Sequence, residues 1–311
     1  MSLVSVPNAR SARIGLLQIS LAGVLWGTGG LAVELIRDIT PMSVITLSAY
    51  RMLIAAVVLG AAVVVVRSGG QLRALLAQHP VHAVAVGCGT AAYQALYFGS
   101  VITAGVTVAT VVALGLAPVL LTVSDAVVDR RFIPLPRLLV LVTALTGLVL
   151  VSGFAGVTGP RSGLGILLAI ASGATYAATT ALGRPLAQRA DPLILTTATT
   201  ASGALVLLPI GVLAGSAGPV HTTDPVALAG LVYLGVFTMA VAYGLLYAGL
   251  RTTPGSVAVV ASLLEPVTAA VLAALVLGER LGPAGVVGTI LILAAVAGLG
   301  RRSTEDEPEH I

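Results

Sequence analysis

Two short segments, 92-AYQALYFG-99 and 242-AYGLLYAG-249, place four of the chain's seven tyrosines at matching positions. Tyr93 and Tyr97 are four residues apart, as are Tyr243 and Tyr247, so on helices each pair shares one face. If those faces point inward, four phenols that donate and accept hydrogen bonds surround one central path. For Tyr97 and Tyr247 an aromatic belt at a membrane interface is the competing reading, whereas Tyr93 and Tyr243 lie deeper and favour a cavity. Gln94 can hydrogen-bond a polar ligand or a neighbouring helix. Trp26, in 24-VLWGTGG-30, adds an aromatic beside small residues that either let a helix loosen and expose backbone groups or form a packing groove. Tyr176 lies 150 residues after Trp26, the offset that also relates Tyr93 to Tyr243.

A carboxylate and a helix breaker stand together at Glu265 and Pro266, inside the apolar stretch 261–280. A charge at mid-membrane costs about 2.5–3.5 kcal/mol on insertion scales, so Glu265 should face protein or water. Pro266 removes a backbone donor and is expected to free the carbonyl of Ser262. A neutral Glu265 could donate to such a carbonyl, and an ionised one could meet Arg51 at a similar depth. Arg51 could equally be an anion site or a helix-packing partner. The counterparts of Glu265 and Pro266 in the first half are Ala117 and Pro118, so a symmetric kink with an asymmetric acid is expected. Those four residues, Arg51, Pro118, Glu265 and Pro266, are candidates for gating or coupling. Asp125 is expected to form an interfacial ion pair, and Glu34, Arg37 and Asp38 a solvated rim or an outer gate.

Catalytic chemistry finds little support. His79, His82, His221 and His310 fall in or near loops and join no cysteine or carboxylate at metal spacing. A P-loop is absent, as is a nucleophile motif. Neither a cofactor nor a metal is expected. Cys88, the single cysteine, excludes an intramolecular disulfide.

The elements that must position these residues are membrane helices. Hydrophobic residues make up 57% of the 311 residues and charged residues 9%, with a mean hydropathy of +1.06. Apolar runs of about 18 residues or more recur along the chain, each long enough to cross a hydrocarbon core about 30 Å thick. They lack the alternation of barrel strands, which leaves helices. Ten spans are predicted at 14–34, 43–66, 81–99, 103–126, 137–154, 163–183, 193–214, 226–249, 254–277 and 283–300, joined by short links. The first reads as an uncleaved helix.

All sixteen basic residues are arginines. With the N-terminus inside, twelve fall in cytoplasmic segments and three, Arg37, Arg161 and Arg280, on the opposite side, which predicts both termini in the cytoplasm. The pI of about 9.6 then reflects topology and not nucleic-acid binding. The tail 303-STEDEPEHI-311 is acidic and predicted to be disordered.

The tyrosine segments belong to a longer duplication. 114-LGLAPV-119 matches 262-SLLEPV-267, and 128-VDRRFIP-134 matches 277-LGERLGP-283, at nearly the same offset. Five helices per copy is an odd number, so the second copy enters the membrane from the opposite side and the halves form an inverted repeat. The expected organisation is a cytoplasmic segment 1–13, a first repeat 14–154, a linker 155–162, a second repeat 163–300 and a cytoplasmic tail 301–311. Such symmetry suits alternating access, because each half can adopt the other's conformation.

The run 254–300, with its Leu-Glu-Pro and Leu-Gly-Glu-Arg elements, resembles the C-terminal signature of the EamA-like branch of the drug/metabolite transporter superfamily. Trp26 in 24-VLWGTGG-30, Arg51 in 49-AYRMLIAA-56 and the tyrosine-rich third span are similar to the corresponding family positions. The resemblance implies a ten-helix transporter of the cell membrane, commonly an exporter of amino acids or other small metabolites. Uptake or exchange of a sugar or nucleoside derivative, a lipid-linked flippase, and a non-transporting scaffold are the alternatives. The expected partners are a small-molecule substrate and the lipid bilayer, with no nucleic acid. One chain supplies both halves of a path, so a monomer would suffice.

Overall fold

A computed structural model describes residues 9–128, 130, 132–152, 162–214, 218–276 and 282–305. Nearly all of the 155–162 linker, Arg131, Arg161, the Leu-Gly-Glu-Arg motif with Arg280, and the tail beyond 305 lie outside the described residues. Those described form helices and turns: α1 (Ala9–Ile39), α2 (Val44–Val65), α3 (Gly69–Gln78), α4 (Pro80–Ala104), α5 (Val106–Val128), α6 (Leu135–Ser152) and α7 (Ser162–Arg189). The chain continues as α8 (Pro192–Ala214), α9 (Pro225–Gly235), a π-helical turn (Val236–Val241), α10 (Ala242–Leu250), α11 (Gly255–Ala261), α12 (Leu264–Val276) and α13 (Pro283–Glu305). Each predicted span has its helix or helix pair. Among the described residues eight stretches are long and apolar enough to cross a membrane, and Pro283–Leu299 is a shorter apolar helix. The third span, α4, is 25 residues long, and its apolar run is diluted by Thr90, Tyr93, Gln94 and several glycines. The chain is an all-helical, multi-pass membrane protein.

Two local expectations are corrected and one pair of alternatives is decided. The second and third spans are joined by α3, an extra helix that tucks Leu75 into the core; its ten residues include too few apolar side chains to stand out as a span. Helix α1 runs unbroken through 27-GTGG-30, because Gly27 brings its backbone onto α12: a Cβ there would sit 2.5 Å from the Glu265 carbonyl and 2.5 Å from Thr268 Cβ. The two prolines do not act alike. Helix α5 is continuous through Pro118, whereas the ninth span breaks between α11 and α12, at Ser262 and Leu263, ahead of Pro266. The Ser262 carbonyl is not left free either, since it accepts from Glu265 N at 2.9 Å in a tight turn.

The halves pack through each other as an internal twofold requires. Helix α4 packs most extensively on α7, and α1 packs in the same way on α10. Helix α5 meets α7 as α11 and α12 meet α1, while α2 with α8 and α6 with α13 are pairs that the symmetry maps onto themselves. The contacts match residue by residue. A Cβ on Gly23 would lie 3.4 Å from the Ala261 carbonyl, and one on Gly173 would lie 2.6 Å from the Ala113 carbonyl. Small residues at these crossings let backbones approach, the usual route to helix association where lipid is as apolar as the side chains.

The bundle has two ends. At the end where α1 begins, Thr252 donates to Ser11 O at 3.0 Å and Arg184 Nε to Thr253 O at 3.2 Å. At the far end, the hydroxyls of Thr40 and Thr222 lie 2.9 Å apart and Tyr50 donates to Val220 O at 2.7 Å. Glu34, Arg37 and Asp38 are exposed there.

The α6–α13 crossing gives a direct test. A Cβ on Gly147 would lie 2.8 Å from the Gly288 carbonyl, whereas one on Gly60 would meet nothing within 4 Å. Gly147→Ala should therefore lower stability by about 1–3 kcal/mol through overpacking, and Gly60→Ala should leave it unchanged or slightly raised. Thermal unfolding in detergent distinguishes the two; equal effects would contradict this packing.

Candidate functional site

Six spans bring eight of the eleven sequence candidates to one cavity of about 190 Å³. Trp26 comes from α1, Arg51 from α2, Tyr93, Gln94 and Tyr97 from α4, Tyr176 from α7, Tyr243 from α10 and Glu265 from α12. The duplication explains the arrangement of the rings. Tyr93 stacks on Tyr176 with centroids 5.0 Å apart, and Trp26 meets Tyr243 edge-on at 5.2 Å. Each pair joins one residue from either half, and the 150-residue offset turns one pair into the other. Aromatic pairs at these separations contribute about 0.5–1.5 kcal/mol beyond burial, so the cavity wall also bonds the halves together.

The polar groups are incompletely matched. Trp26 Nε1, Arg51 Nε and Gln94 Oε1 are buried without hydrogen-bond partners. An unpaired buried polar group costs about 1–3 kcal/mol, and these three belong to residues of one cavity wall. Arg51 Nη2 donates to the Thr238 carbonyl at 3.1 Å. That carbonyl lies within the π-helical turn, whose wider register departs from the ordinary i−4 ladder; such turns occur frequently at functional sites. Among the described residues Arg51 forms no ion pair with Glu265, although both line the cavity. Basic and acidic groups thus face one space without neutralising each other directly.

Tyr97 and Tyr247 are not belt residues. Tyr97 is half-buried on the cavity wall, its hydroxyl 2.8 Å from that of Thr110. Tyr247 is buried and lies beyond the cavity, in a much smaller pocket that also touches Tyr93, Tyr176 and Tyr243. Of the gating candidates, Glu265 and Arg51 reach the central cavity. Pro266 lines a larger adjoining one of about 600 Å³, and Pro118 is packed in the core of α5. The two cavities share Trp26, Gly30, Tyr97 and Glu265. The larger runs past Val106, Thr107 and Ser152 to Gly282 and Gly285, residues at helix ends on the far side of the bundle. Asp125 is ion-paired with Arg137 at the start of α6, and Ser256 on α11 donates to the same carboxylate at 2.7 Å.

Sequence reasoning missed Thr238, whose backbone holds Arg51, and Ser262, whose hydroxyl lies 3.2 Å from that of Tyr176. A π-helical turn has no compositional mark, so nothing pointed to Thr238. Ser262 was legible only as a neighbour of Pro266. Tyr176→Phe should remove the bond to Ser262 and cost about 1 kcal/mol, while Tyr176→Ala should cost at least about 1 kcal/mol more by losing the stack on Tyr93. Thermal unfolding of the two variants checks this, and identical losses would show that the ring contact contributes nothing.

Comparison with known proteins agrees with the fold and the duplication. The pattern of the EamA-like transporter family matches twice, over residues 13–153 and 163–301. An uncharacterized transporter of Bacillus subtilis (strain 168), YwfM, is 29% identical over 302 residues, covering 94% of this chain and 97% of that one. A solved crystal structure at 22% identity superposes with a TM-score of 0.77 over 95% of this chain and 99% of its own, a likeness of fold. With the family pattern filling both halves and the aromatic pairs joining them around one cavity, the chain belongs to the EamA-like transporter family and is a membrane transporter.

Proposed function

We propose that the chain exports amino acids or closely related zwitterionic metabolites by alternating access, with the central cavity as the substrate site. The observation that carries this reading is the pairing of opposite charge types around one cavity: Arg51 and Glu265 line it without bonding each other, and Trp26 Nε1 and Arg51 Nε lack acceptors. A substrate carboxylate would take the Arg51 and Trp26 donors, as guanidinium geometry favours. A substrate ammonium would face Glu265 and the tyrosine rings. Gln94 Oε1, also without a partner, offers a further acceptor. Neither charge is well placed in hydrocarbon alone, and a zwitterion would satisfy both at once.

The arginine distribution supports placing the end that holds the start of α1 in the cytoplasm. The larger cavity then opens outward, and the cytoplasmic side is closed by the Asp125–Arg137–Ser256 cluster and the Arg184 contact. Export is the direction carried by the family resemblance. Glu265 adjoins α1 through Gly27 and the helix break just before it through Gly23, so a bound ligand touching Glu265 would be felt where the halves meet.

A ligand that binds only the folded protein stabilises it by RT ln(1 + [L]/Kd), about 2.7 kcal/mol at a hundredfold excess over Kd. Amino acids should raise the unfolding temperature of the purified protein, while analogues lacking either the carboxylate or the amine should not. Arg51→Gln and Glu265→Gln should each abolish the shift while remaining folded. A shift produced by neutral sugars or nucleosides and not by amino acids, or only by lipids, would replace the zwitterion reading with the corresponding alternative.

A further inference from the structure

The small pocket beyond the tyrosines is related to the central cavity by the internal symmetry. Adding 150 to Trp26, Gly29, Gly30 and Tyr97 of the cavity wall gives Tyr176, Thr179, Thr180 and Tyr247, all of which line the small pocket. The same operation exchanges Tyr93 and Tyr243, and both line both spaces. The two spaces therefore lie on either side of a shared layer made by Tyr93, Tyr176 and Tyr243. Their sizes differ greatly: about 190 Å³ on one side and about 10 Å³ on the other, at the margin of what a single water requires.

Two substitutions within the duplication distinguish the sides. Gly29 and Gly30 face the open cavity, and a Cβ on Gly30 would meet nothing within 4 Å. Thr179 and Thr180 stand in their place in the small pocket, buried, with their hydroxyls donating back to Tyr176 O at 3.0 and 2.9 Å. Thr90 is similarly turned back onto Val86 O at 2.8 Å. Each hydroxyl keeps acceptor capacity towards the pocket. Arg51 and Glu265 have only alanines, Ala201 and Ala117, at the equivalent places. One side of the tyrosine layer is thus roomy and charged, and the other is closed, uncharged and hydroxyl-lined.

We propose that the pocket lined by Thr90, Thr179, Thr180 and Tyr247 is the collapsed twin of the central cavity: a second substrate compartment that opens when the first closes, with the tyrosine layer as the moving partition. It offers hydroxyls in place of charges to whatever the central cavity holds. This rests on the alternating-access part of the proposed function and not on the identity of the substrate. The closed state of the pocket is held across the halves at the near end, where Asp125 and Arg137 of the first half meet Ser256 of the second.

The test uses the full chain in liposomes with Cys88→Ala, which removes the native thiol, carrying either Thr180→Cys or Gly30→Cys. A charged methanethiosulfonate reagent reports which side is open, and no substrate is needed. Gly30→Cys should react readily and Thr180→Cys slowly. Adding Arg137→Gln, which breaks the near-end contact, should raise the Thr180→Cys rate about tenfold or more and lower that of Gly30→Cys, as a population shift requires. Asp125→Asn should reproduce the reversal from the other partner. Rates that rise together, or a Thr180→Cys rate unmoved by both releases, would overturn the twin-compartment proposal. Amino acids that fail to bind would overturn only the substrate reading and leave this labelling pattern in place.

Discussion

Hydrocarbon offers no hydrogen bonds, and every polar group in this chain has to be placed under that constraint. It is why the segments are helices and why buried threonines such as Thr199, Thr200 and Thr238 donate to backbone carbonyls one turn back. It also makes the exceptions informative. Trp26 Nε1, Arg51 Nε and Gln94 Oε1 are three of the few buried side-chain atoms left without partners among the described residues, and all three belong to residues of one cavity wall.

The cavity exists because the halves cross each other. Glycines at Gly23, Gly27 and Gly173 bring backbones into contact at the α1 and α7 crossings, which fixes the depth at which Trp26 and Tyr176 project inward. The rings then find partners in the opposite half, Tyr243 and Tyr93. A substrate held between them, as proposed, would touch both halves. The break at Ser262 adds a joint to one half without an equivalent in the continuous α5, so the two repeats share a plan but differ in where they can bend.

Much of this was legible in the sequence. The 150-residue offset, read from the repeated Ala-Tyr-x-x-Leu-Tyr-x-Gly segments, predicted the positional equivalence of Trp26 and Tyr176, and helical spacing predicted the shared faces of the tyrosines. Hydropathy located the spans because lipid selects composition over their whole length. Features set by backbone register were not legible. The π-helical turn at Val236–Val241 holds Arg51 through a carbonyl, and a carbonyl is common to every residue. The proline rule pointed to a free Ser262 carbonyl and matching kinks at Pro118 and Pro266, but α5 is continuous through Pro118 and the break in the ninth span falls ahead of Pro266. A direct Arg51–Glu265 pair was also expected as one possibility, and depth along a span gives no information on which way two side chains turn.

The central claim is that the charged cavity between the repeats binds a zwitterion for passage across the bilayer. Counterflow tests it most directly: liposomes containing the purified protein are preloaded with an unlabelled amino acid, and the entry of labelled amino acid from outside is followed with time. The account predicts transient accumulation with the native chain, and none with Arg51→Gln or in empty liposomes. Accumulation of equal size with Arg51→Gln, or none with the native chain for any amino acid, would contradict it.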